Sequence, residues 1–209
     1  MIARPASEFD PSQLYRLLAS LVIPRPIALV SSLSSTAVPN LAPFSFYMFL
    51  NDAPPILGFS VGLRYGTSHK DTLVNIRDTR EFVINVVSDE IAHPMNVSSL
   101  DWGPEVDEFS VSGFTVAQGN LAVKAPRVAE SPAQFECRLE RFVEFPRYTL
   151  VAGEVLAFHY REDVFDARMR VDYDRLRARG RLTGPDYCRI TDRFVMAREA
   201  DSPALHRKA

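Results

Sequence analysis

Hydrophobic residues recur at helical spacing near the amino terminus and follow strand patterns through most of the remaining chain. The sequence Asp10-Pro11-Ser12-Gln13 is typical of a helix start, with a capping aspartate, a proline at the first helical position and a glutamine that reaches back. The leucines that follow fall on one helical face: Leu14, Leu17, Leu18 and Leu21. The residue before a proline is disfavoured in a helix, so we expect this helix to end near Ile23-Pro24.

Residues 27–33 are apolar on both faces, which predicts a strand buried on both sides, and a polar turn follows at residues 34–39. The next segment, residues 40–47, begins as a strand but contains Pro43, which cannot donate to a sheet ladder. Backbone groups released there, beside Ser45 and flanked by aromatic residues, could face a flat heteroaromatic ligand. The alternative is an edge strand with a proline kink and phenylalanines in the core.

Hydroxyl groups and a lysine are concentrated where a strand at residues 56–61, which carries Ser60, gives way to a helix ending near residue 79: Thr67, Ser68, Lys70 and Thr72. A helix start presents unpaired N–H groups and the positive end of the helix dipole, so this loop would suit a phosphate. Lysine is rare in this chain, occurring only at positions 70, 124 and 208. The alternative is a capping box with Ser68 as the N-cap and Asp71 three residues later.

The second half of the chain is more clearly β. A strand is predicted at residues 82–87, then a broken polar region at 88–120 with short helices around Ile91 and Trp102 and no assigned sheet. Apolar residues alternate from Phe135, and the alternation slips at Phe142, which predicts a β-bulge or a sharply coiled strand. Residues 148–160 read as a long strand with an interior glycine, residues 172–181 as a short exposed helix, and residues 187–198 as a last strand. We therefore expect one mainly antiparallel barrel with helical additions, occupying residues 1–209 as a single domain.

The composition of the chain argues against some classes of function. The chain has 46% hydrophobic and 24% charged residues and a net charge of -2, which is ordinary for a soluble protein and gives no footprint for nucleic acid or an anionic membrane. We expect a cytoplasmic protein, because the amino terminus lacks an apolar signal core and no run is long enough to cross a bilayer.

Metal, nucleotide-triphosphatase and hydrolase signatures are missing from the sequence. The four histidines are scattered, so we predict no metal site, and the two cysteines are expected to act as small buried hydrophobes. His159 could touch a bound ligand, but a hydrogen-bonded strand histidine is the favoured interpretation. Glu154 is interpreted as a paired structural carboxylate rather than a base.

Three blocks of the sequence are distinctive when taken together: residues 22–30 (VIPRPIALV), residues 40–46 (NLAPFSF) and residues 69–72 (HKDT) with Asn75. They resemble the flavin reductase-like, FMN-binding split-barrel family, especially its branch related to the reductase component of nitrilotriacetate monooxygenase. Weaker matches follow in the family's order: residues 107–109, 130–132, 136–137, 153–155 and 184–187. The resemblance covers about residues 15–198, which we take as the core of the domain. Relatives commonly have a glycine in the turn before Asn40, and this chain has none at residues 34–39.

The resemblance implies a six-stranded antiparallel split β-barrel of Greek-key type with short helical additions, a homodimer, and FMN between the protomers. It implies that the loop Asn40, Ala42, Pro43, Phe44, Ser45 and Phe46 lies along the isoalloxazine ring and ribityl chain. It further implies that the loop with Ser68, His69, Lys70, Asp71 and Thr72 receives the phosphate, in agreement with the helix-start argument. Ser60 and Tyr187 complete the expected cofactor-binding residues.

The activity implied is NAD(P)H-dependent reduction of FMN, with the reduced flavin supplied to a partner monooxygenase. Two alternatives stay open: a protein with tightly bound FMN that transfers electrons to iron or to a partner protein, and a flavin-binding module without NAD(P)H turnover. Hydride passes between nicotinamide and flavin, and the protein's task is to position the two rings. For this reason we name no catalytic side chain, and the sequence does not choose between NADH and NADPH.

Overall fold

The computed structural model describes residues 1–196, which form a mainly β protein with short helices. The helices of the described residues are α1 (Pro11–Leu21), α2 (Asp71–Thr79), α3 (Ala92–Val97), α4 (Glu108–Ser112) and α5 (Tyr173–Leu176). The strands are β1 (Arg25–Pro26), β2 (Ala28–Leu33), β3 (Pro39–Phe44), β4 (Tyr47–Asp52), β5 (Pro55–Gly62), β6 (Glu81–Val86), β7 (Val116–Ala117), β8 (Arg127–Val128), β9 (Ala133–Glu144), β10 (Tyr148–Tyr160), β11 (Arg179–Arg181) and β12 (Tyr187–Arg189). Two short 3₁₀ turns lie at Ala6–Glu8 and Glu162–Val164.

Seven strands build the main sheet in the order β3-β2-β6-β9-β10-β5-β4, with every neighbouring pair antiparallel. The two edge strands, β3 and β4, are consecutive in the chain and are separated only by Ser45 and Phe46. The sheet must therefore curl until its two edges meet at this two-residue corner. The mainly β prediction is confirmed, whereas the expected count of six strands is not, because the main sheet has seven.

The inner face of the curled sheet holds the core. Phe59 packs against Phe44 in a tilted arrangement and against Phe82 in a T-shaped one, and aliphatic side chains surround the three rings. Gly153 lies opposite this cluster, and a Cβ atom there would come within 2.2 Å of the Phe82 ring. The glycine in the middle of the long strand β10 therefore makes room for an aromatic ring. A second cluster under α3 and α4 includes Leu41, Met95 and Phe109.

The slip of the hydrophobic alternation near Phe142 has the predicted cause. Ala152 pairs with Arg141 and Gly153 pairs with Leu139, so Glu140 is the extra residue of a β-bulge in β9. A second irregularity lies between Val155 and Ala157 of β10. These interruptions bend the two longest strands and so help the sheet to curl.

The helix ends agree with the sequence prediction in one case and contradict it in the other. Asp10 caps α1 and Gln13 completes the capping box, as predicted. The alternative interpretation of Ser68 and Asp71 as a capping box is wrong, since Lys70 is the N-cap residue of α2 and makes no side-chain capping bond. Ser68 instead pairs through its backbone with Arg64.

Three smaller predictions for the second half need correction. The short helix expected around Ile91 is confirmed as α3, whereas Trp102 lies outside any helix and α4 begins only at Glu108. The region expected to lack sheet contributes β7, which pairs with β8. The last strand is limited to Tyr187–Arg189, and residues 197–198 of the predicted strand lie outside the described residues. The short exposed helix expected at residues 172–181 is confirmed only in part, because α5 covers Tyr173–Leu176 and Arg179–Arg181 form β11.

Among residues 1–196, no helix is long and apolar enough to cross a membrane. Both cysteines are reduced, with Cys137 fully buried and Cys188 half-buried.

Candidate functional site

The candidate site lies around the corner between β3 and β4, near the three sequence blocks that carry the family resemblance. The Phe46 carbonyl accepts a 2.8 Å hydrogen bond from the Ser60 N–H, which ties the corner to β5. Phe44 points inward and packs against Phe59, with ring centroids 5.1 Å apart. Phe46 points the other way, so the corner presents one phenylalanine to the core and one to the surface.

Phe46 forms part of an aromatic groove, which we define by Leu14, Tyr15, Leu18, Phe46, Arg147 and Tyr148. The Phe46 ring meets Tyr15 and Tyr148 edge to face, with centroid distances of 6.4 and 5.8 Å. The groove has a volume of about 700 Å³, and most of its walls are apolar. A planar aromatic molecule would find ring faces and aliphatic side chains on both sides of it.

At the start of α2, the loop of residues 63–70 concentrates donors for an anion. Thr67, Ser68 and His69 are exposed, and Gly66 has φ of +76°, a conformation that suits glycine. Lys70 makes no capping bond, so the positive end of α2 keeps backbone donors available.

Arg64 adds a charged donor to this loop. One Nη atom of Arg64 lies 2.6 Å from Asp71, and its Nε is buried without a hydrogen-bond partner, with the Asp101 carboxylate 3.9 Å away. A buried guanidinium N–H without an acceptor is costly, and an anion bound at the loop would satisfy it.

Arg147 connects the aromatic groove with the loop. Its carbonyl accepts a 3.1 Å hydrogen bond from the Leu63 N–H, and its guanidinium lies 4.0 Å from the place of a Cβ on Gly66. Along β5, Ser60 at the corner and Arg64 in the loop are four residues apart, a distance of about 13 Å in an extended strand. The groove and the loop of residues 63–70 therefore adjoin each other through Arg147.

Beneath this surface lies a buried hydrogen-bond network. Asn40 donates to Glu108 at 2.5 Å and accepts a 2.8 Å bond from the Thr72 hydroxyl. Glu108 also accepts from the Leu41 backbone N–H. Burial raises the pKa of Glu108 to about 7; the Leu41 N–H opposes this shift, nearby Asp71 adds to it, and Arg64 and Lys70 oppose it. The network joins β3, α2 and α4 behind the loop.

On the other side of Tyr15 lies a second depression of about 390 Å³, which we call the arginine cleft. It is bounded by Arg16, Arg25, Pro43, Ser45, Arg181 and Tyr187, together with the carboxyl end of α1 and part of α3. Arg25 is buried and donates from Nε to the Ser45 hydroxyl at 3.3 Å. Arg181 lies over the Tyr187 ring, with its guanidinium carbon 4.3 Å from the ring centroid.

The predicted cofactor residues lie in the aromatic groove, the arginine cleft, the loop of residues 63–70, the buried network and the core. Asn40 and Thr72 lie in the buried network, so their side chains support the surface rather than form it. Phe44 belongs to the core, and Ala42 packs against it. Phe46 lies in the aromatic groove, and Pro43, Ser45 and Tyr187 in the arginine cleft. Ser68, His69, Lys70 and Asp71 belong to the loop, and Ser60 links it to the corner.

Several residues of this surface escaped sequence reasoning. Tyr15 and Arg147 are distant in sequence from the recognised blocks, and only the fold brings them beside Phe46. Arg25 stood inside a matched block without an assigned role. The one available signal for Arg64 was its position immediately before a hydroxyl-rich helix start.

His159 and Glu154, for which the sequence left functional alternatives open, have structural partners. His159 Nε2 lies 2.6 Å from the buried Glu136 carboxylate, on the side of β10 away from the three places described above. Glu154 pairs with Arg138 at 2.9 Å. The favoured interpretations of both residues are confirmed.

Comparison with known proteins identifies the class of fold first. The structure superimposes on nitrilotriacetate monooxygenase component B from Bacillus cereus with a TM-score of 0.89 at 27% identity, covering 94% of this chain and 98% of that one. The 2-nitrobenzoate 2-nitroreductase of Pseudomonas fluorescens gives a TM-score of 0.87 at 34% identity, covering 97% and 98%. The protein thus has the flavin reductase-like split-barrel fold.

The family follows from the sequence comparison. The model of the flavin reductase like domain matches residues 19–178, so the chain belongs to this flavin-binding family. An uncharacterised protein of Aquifex aeolicus is 40% identical over 180 residues, which cover 86% of this chain and 91% of that protein. The resemblance inferred from the three sequence blocks is confirmed.

Proposed function

We propose that the protein is an NAD(P)H-dependent FMN reductase that delivers reduced flavin to a partner monooxygenase. The observation that carries the proposal is that an aromatic groove adjoins a loop in which the buried Arg64 Nε has no hydrogen-bond partner and the helix start has no side-chain cap. FMN would match this arrangement, because it is a flat ring system joined to a phosphate by a flexible chain.

The residues present fit FMN in their chemistry. Lys70, Arg64 and the first N–H groups of α2 would hold the phosphate, with the hydroxyl of Ser68 and the side chain of His69 beside it. Phe46 and Tyr148 would line the ring, while the corner backbone at Pro43 and Ser45 would face its polar edge. When bound, FMN supplies the redox chemistry by accepting a hydride from a nicotinamide.

The work left to the protein is positioning. The buried Asn40, Thr72 and Glu108 hold β3 and α2 at a fixed separation, so the donors of the loop are in place before a ligand arrives. Tyr15 stands between the groove and the arginine cleft and would bring the second ring close to the first.

Exposed apolar side chains support the expected homodimer. Leu18 and Leu21 of α1 and Phe49 of β4 expose 62, 77 and 67% of their surface, and Val22, Ile23, Met48 and Leu50 are exposed as well. Apolar patches of this kind mark interaction sites, and a second copy would cover them and roof the aromatic groove. Phe49→Asp is expected to give monomers in analytical ultracentrifugation, while Leu121→Asp, at an exposed position outside the candidate site, should leave the dimer intact.

The decisive test of the phosphate site compares FMN with riboflavin, which lacks the phosphate. Lys70→Ala should weaken FMN about tenfold or more, since a charge-assisted bond is worth about 1.5–3 kcal/mol, and leave riboflavin unchanged in a fluorescence titration. Lys124→Ala, which removes an exposed lysine elsewhere, is the matched control. Equal weakening of both flavins by Lys70→Ala would refute the assignment.

The reaction itself is tested by anaerobic oxidation of NADH and NADPH with and without added FMN. Turnover that scales with free FMN is the expected result. Turnover that is independent of added flavin would favour tightly bound FMN and an electron-transfer or ferric-reducing role, and FMN binding without turnover would favour a flavin-binding module.

A further inference from the structure

The arginine cleft is lined by positive charges, and a site that only positioned a neutral ring would not need them. Three arginines line it, and none of its lining residues is an aspartate or glutamate. Among the ion pairs formed within residues 1–196, none involves Arg16, Arg25 or Arg181. Other arginines of residues 1–196 do form ion pairs with carboxylates, as at Asp89 and Asp174.

Arg25 and Arg181 are held close together by the backbone. They are directly opposite each other in the antiparallel pair of β1 and β11. Like charges in this arrangement destabilise a sheet. Burial lowers the pKa of Arg25, Tyr15 raises it, and the charge of Arg181 lowers it again. The fold thus maintains two repelling cations at one cleft without a carboxylate to separate them.

Part of the positive charge of Arg25 is balanced by hydrogen bonds that stabilise the fold. Its Nη atoms donate to the Ala19, Val22 and Leu182 carbonyls, which places the guanidinium at the negative carboxyl end of α1. Those partners are all neutral oxygens. Arg181 has even less compensation, because it donates to the Gly184 carbonyl and otherwise rests on the Tyr187 ring.

The walls of the cleft indicate the shape of the missing anion. Tyr15 and Tyr187 contribute aromatic surface, and arginine guanidinium groups bind carboxylates in a planar, two-point geometry. A volume of about 390 Å³ is near the lower end of the range for small-molecule sites, which suits a single ring better than a whole dinucleotide.

We propose that the arginine cleft binds a small aromatic carboxylate, with Arg181 and Arg16 receiving the carboxylate and Tyr15 and Tyr187 flanking the ring. This inference rests on the proposed function, in that the cleft adjoins the candidate flavin groove through Tyr15 and would hold the second ligand beside the flavin. Arg25 acts as a positioning residue that fixes Ser45 and the end of α1.

Isothermal titration with benzoate and benzamide tests the proposal directly on the FMN-loaded protein, because the two probes differ in charge and hardly in shape. Wild-type protein should bind benzoate at least tenfold more tightly than benzamide. Arg181→Gln should reduce this preference to within twofold, and Arg181→Lys should retain part of it. The control Arg168→Gln, at an exposed arginine of another loop, should keep the full preference.

Three results would overturn the proposal: equal or absent binding of the two probes by the wild type, an unchanged preference in Arg181→Gln, or a loss of FMN affinity in Arg181→Gln that matches the loss of benzoate. A fourth is a raised KM for NADH or NADPH in Arg181→Gln with benzoate binding unaffected, which would assign the cleft to dinucleotide phosphates. If the protein retains no FMN, the same titration on the flavin-free protein decides the cleft independently of the reductase proposal.

Discussion

Two glutamates are buried among residues 1–196, and their surroundings move their pKa values in opposite directions. Burial raises the pKa of both carboxyl groups. At Glu136 of β9 this effect is outweighed by His159 and by three backbone N–H groups, those of Leu121, Ala122 and Val123, so the pKa falls below its ordinary value. Glu108 receives only the Leu41 N–H and the Asn40 amide, and its pKa is about 7.

The difference shows that the number of donors, rather than burial, decides the charge of a buried carboxyl. Glu136 is a permanent anion whose task is to hold the loop of residues 118–125 against the sheet. Glu108 changes its charge near neutral pH, directly behind the β3 and α2 segments that form the candidate cofactor surface. One network is therefore a fixed structural element, and the other is adjustable.

Removing the fixed anion should have the largest effect. Glu136→Ala leaves three backbone N–H groups without an acceptor in the protein interior, and the free energy of unfolding should fall by about 3–5 kcal/mol in chemical denaturation. Glu140→Ala, on the same strand in an exposed pair with Arg141, should change little. A small effect of Glu136→Ala would mean that water replaces the carboxylate and that the network is not a structural anchor.

The adjustable carboxyl should reveal itself in the pH dependence of stability. Because the pKa of Glu108 is raised in the folded state, its stabilising contribution is complete below about pH 4.5 and is lost as the pH rises through about 7. Glu108→Gln keeps an oxygen acceptor and stays neutral. The variant should match the wild type near pH 5 and exceed its stability by about 3 kcal/mol at pH 8 in urea denaturation. Parallel pH profiles for the two proteins would contradict the assigned pKa.

The smallest effect should come from the histidine of the fixed network. His159→Ala removes one of the four donors to Glu136, and the three backbone N–H groups keep the carboxylate satisfied. We expect a loss of about 1 kcal/mol in thermal or chemical unfolding, with FMN affinity unchanged. If His159→Ala costs as much as Glu136→Ala, the imidazole rather than the backbone is the principal partner.

Patterns that are local in sequence predicted the structure well. The slip at Phe142 predicted the bulge at Glu140, the sequence Asp10-Pro11-Ser12-Gln13 predicted the start of α1, and residues 148–160 form β10 as expected. Each of these rests on side-chain periodicity or on a cap within four residues, where few conformations compete.

The parts that sequence reasoning missed depend on long-range pairing. Arg25 and Arg181 become neighbours only because β1 pairs with β11, and Glu108 reaches Leu41 only because α4 packs on β3. The capping box assigned to Ser68 failed for a related reason, since the backbone pairing of Arg64 and Ser68 closes a turn that shifts the helix start to Asp71. Hydroxyl residues satisfy a capping pattern and a ligand loop equally well, and tertiary structure decides between them.

The two-residue corner at Ser45 and Phe46 also has a consequence for the order of folding. The hairpins β2–β3 and β4–β5 are local, are joined by the corner and can form early, but the sheet is complete only after β6, β9 and β10 have been inserted between β2 and β5. That insertion requires Val61 to find Thr149, far away in the sequence, and such distant pairings are slow to form. The curled sheet beside the corner should thus be completed late, and flavin supplied during refolding should raise the yield by trapping the finished state.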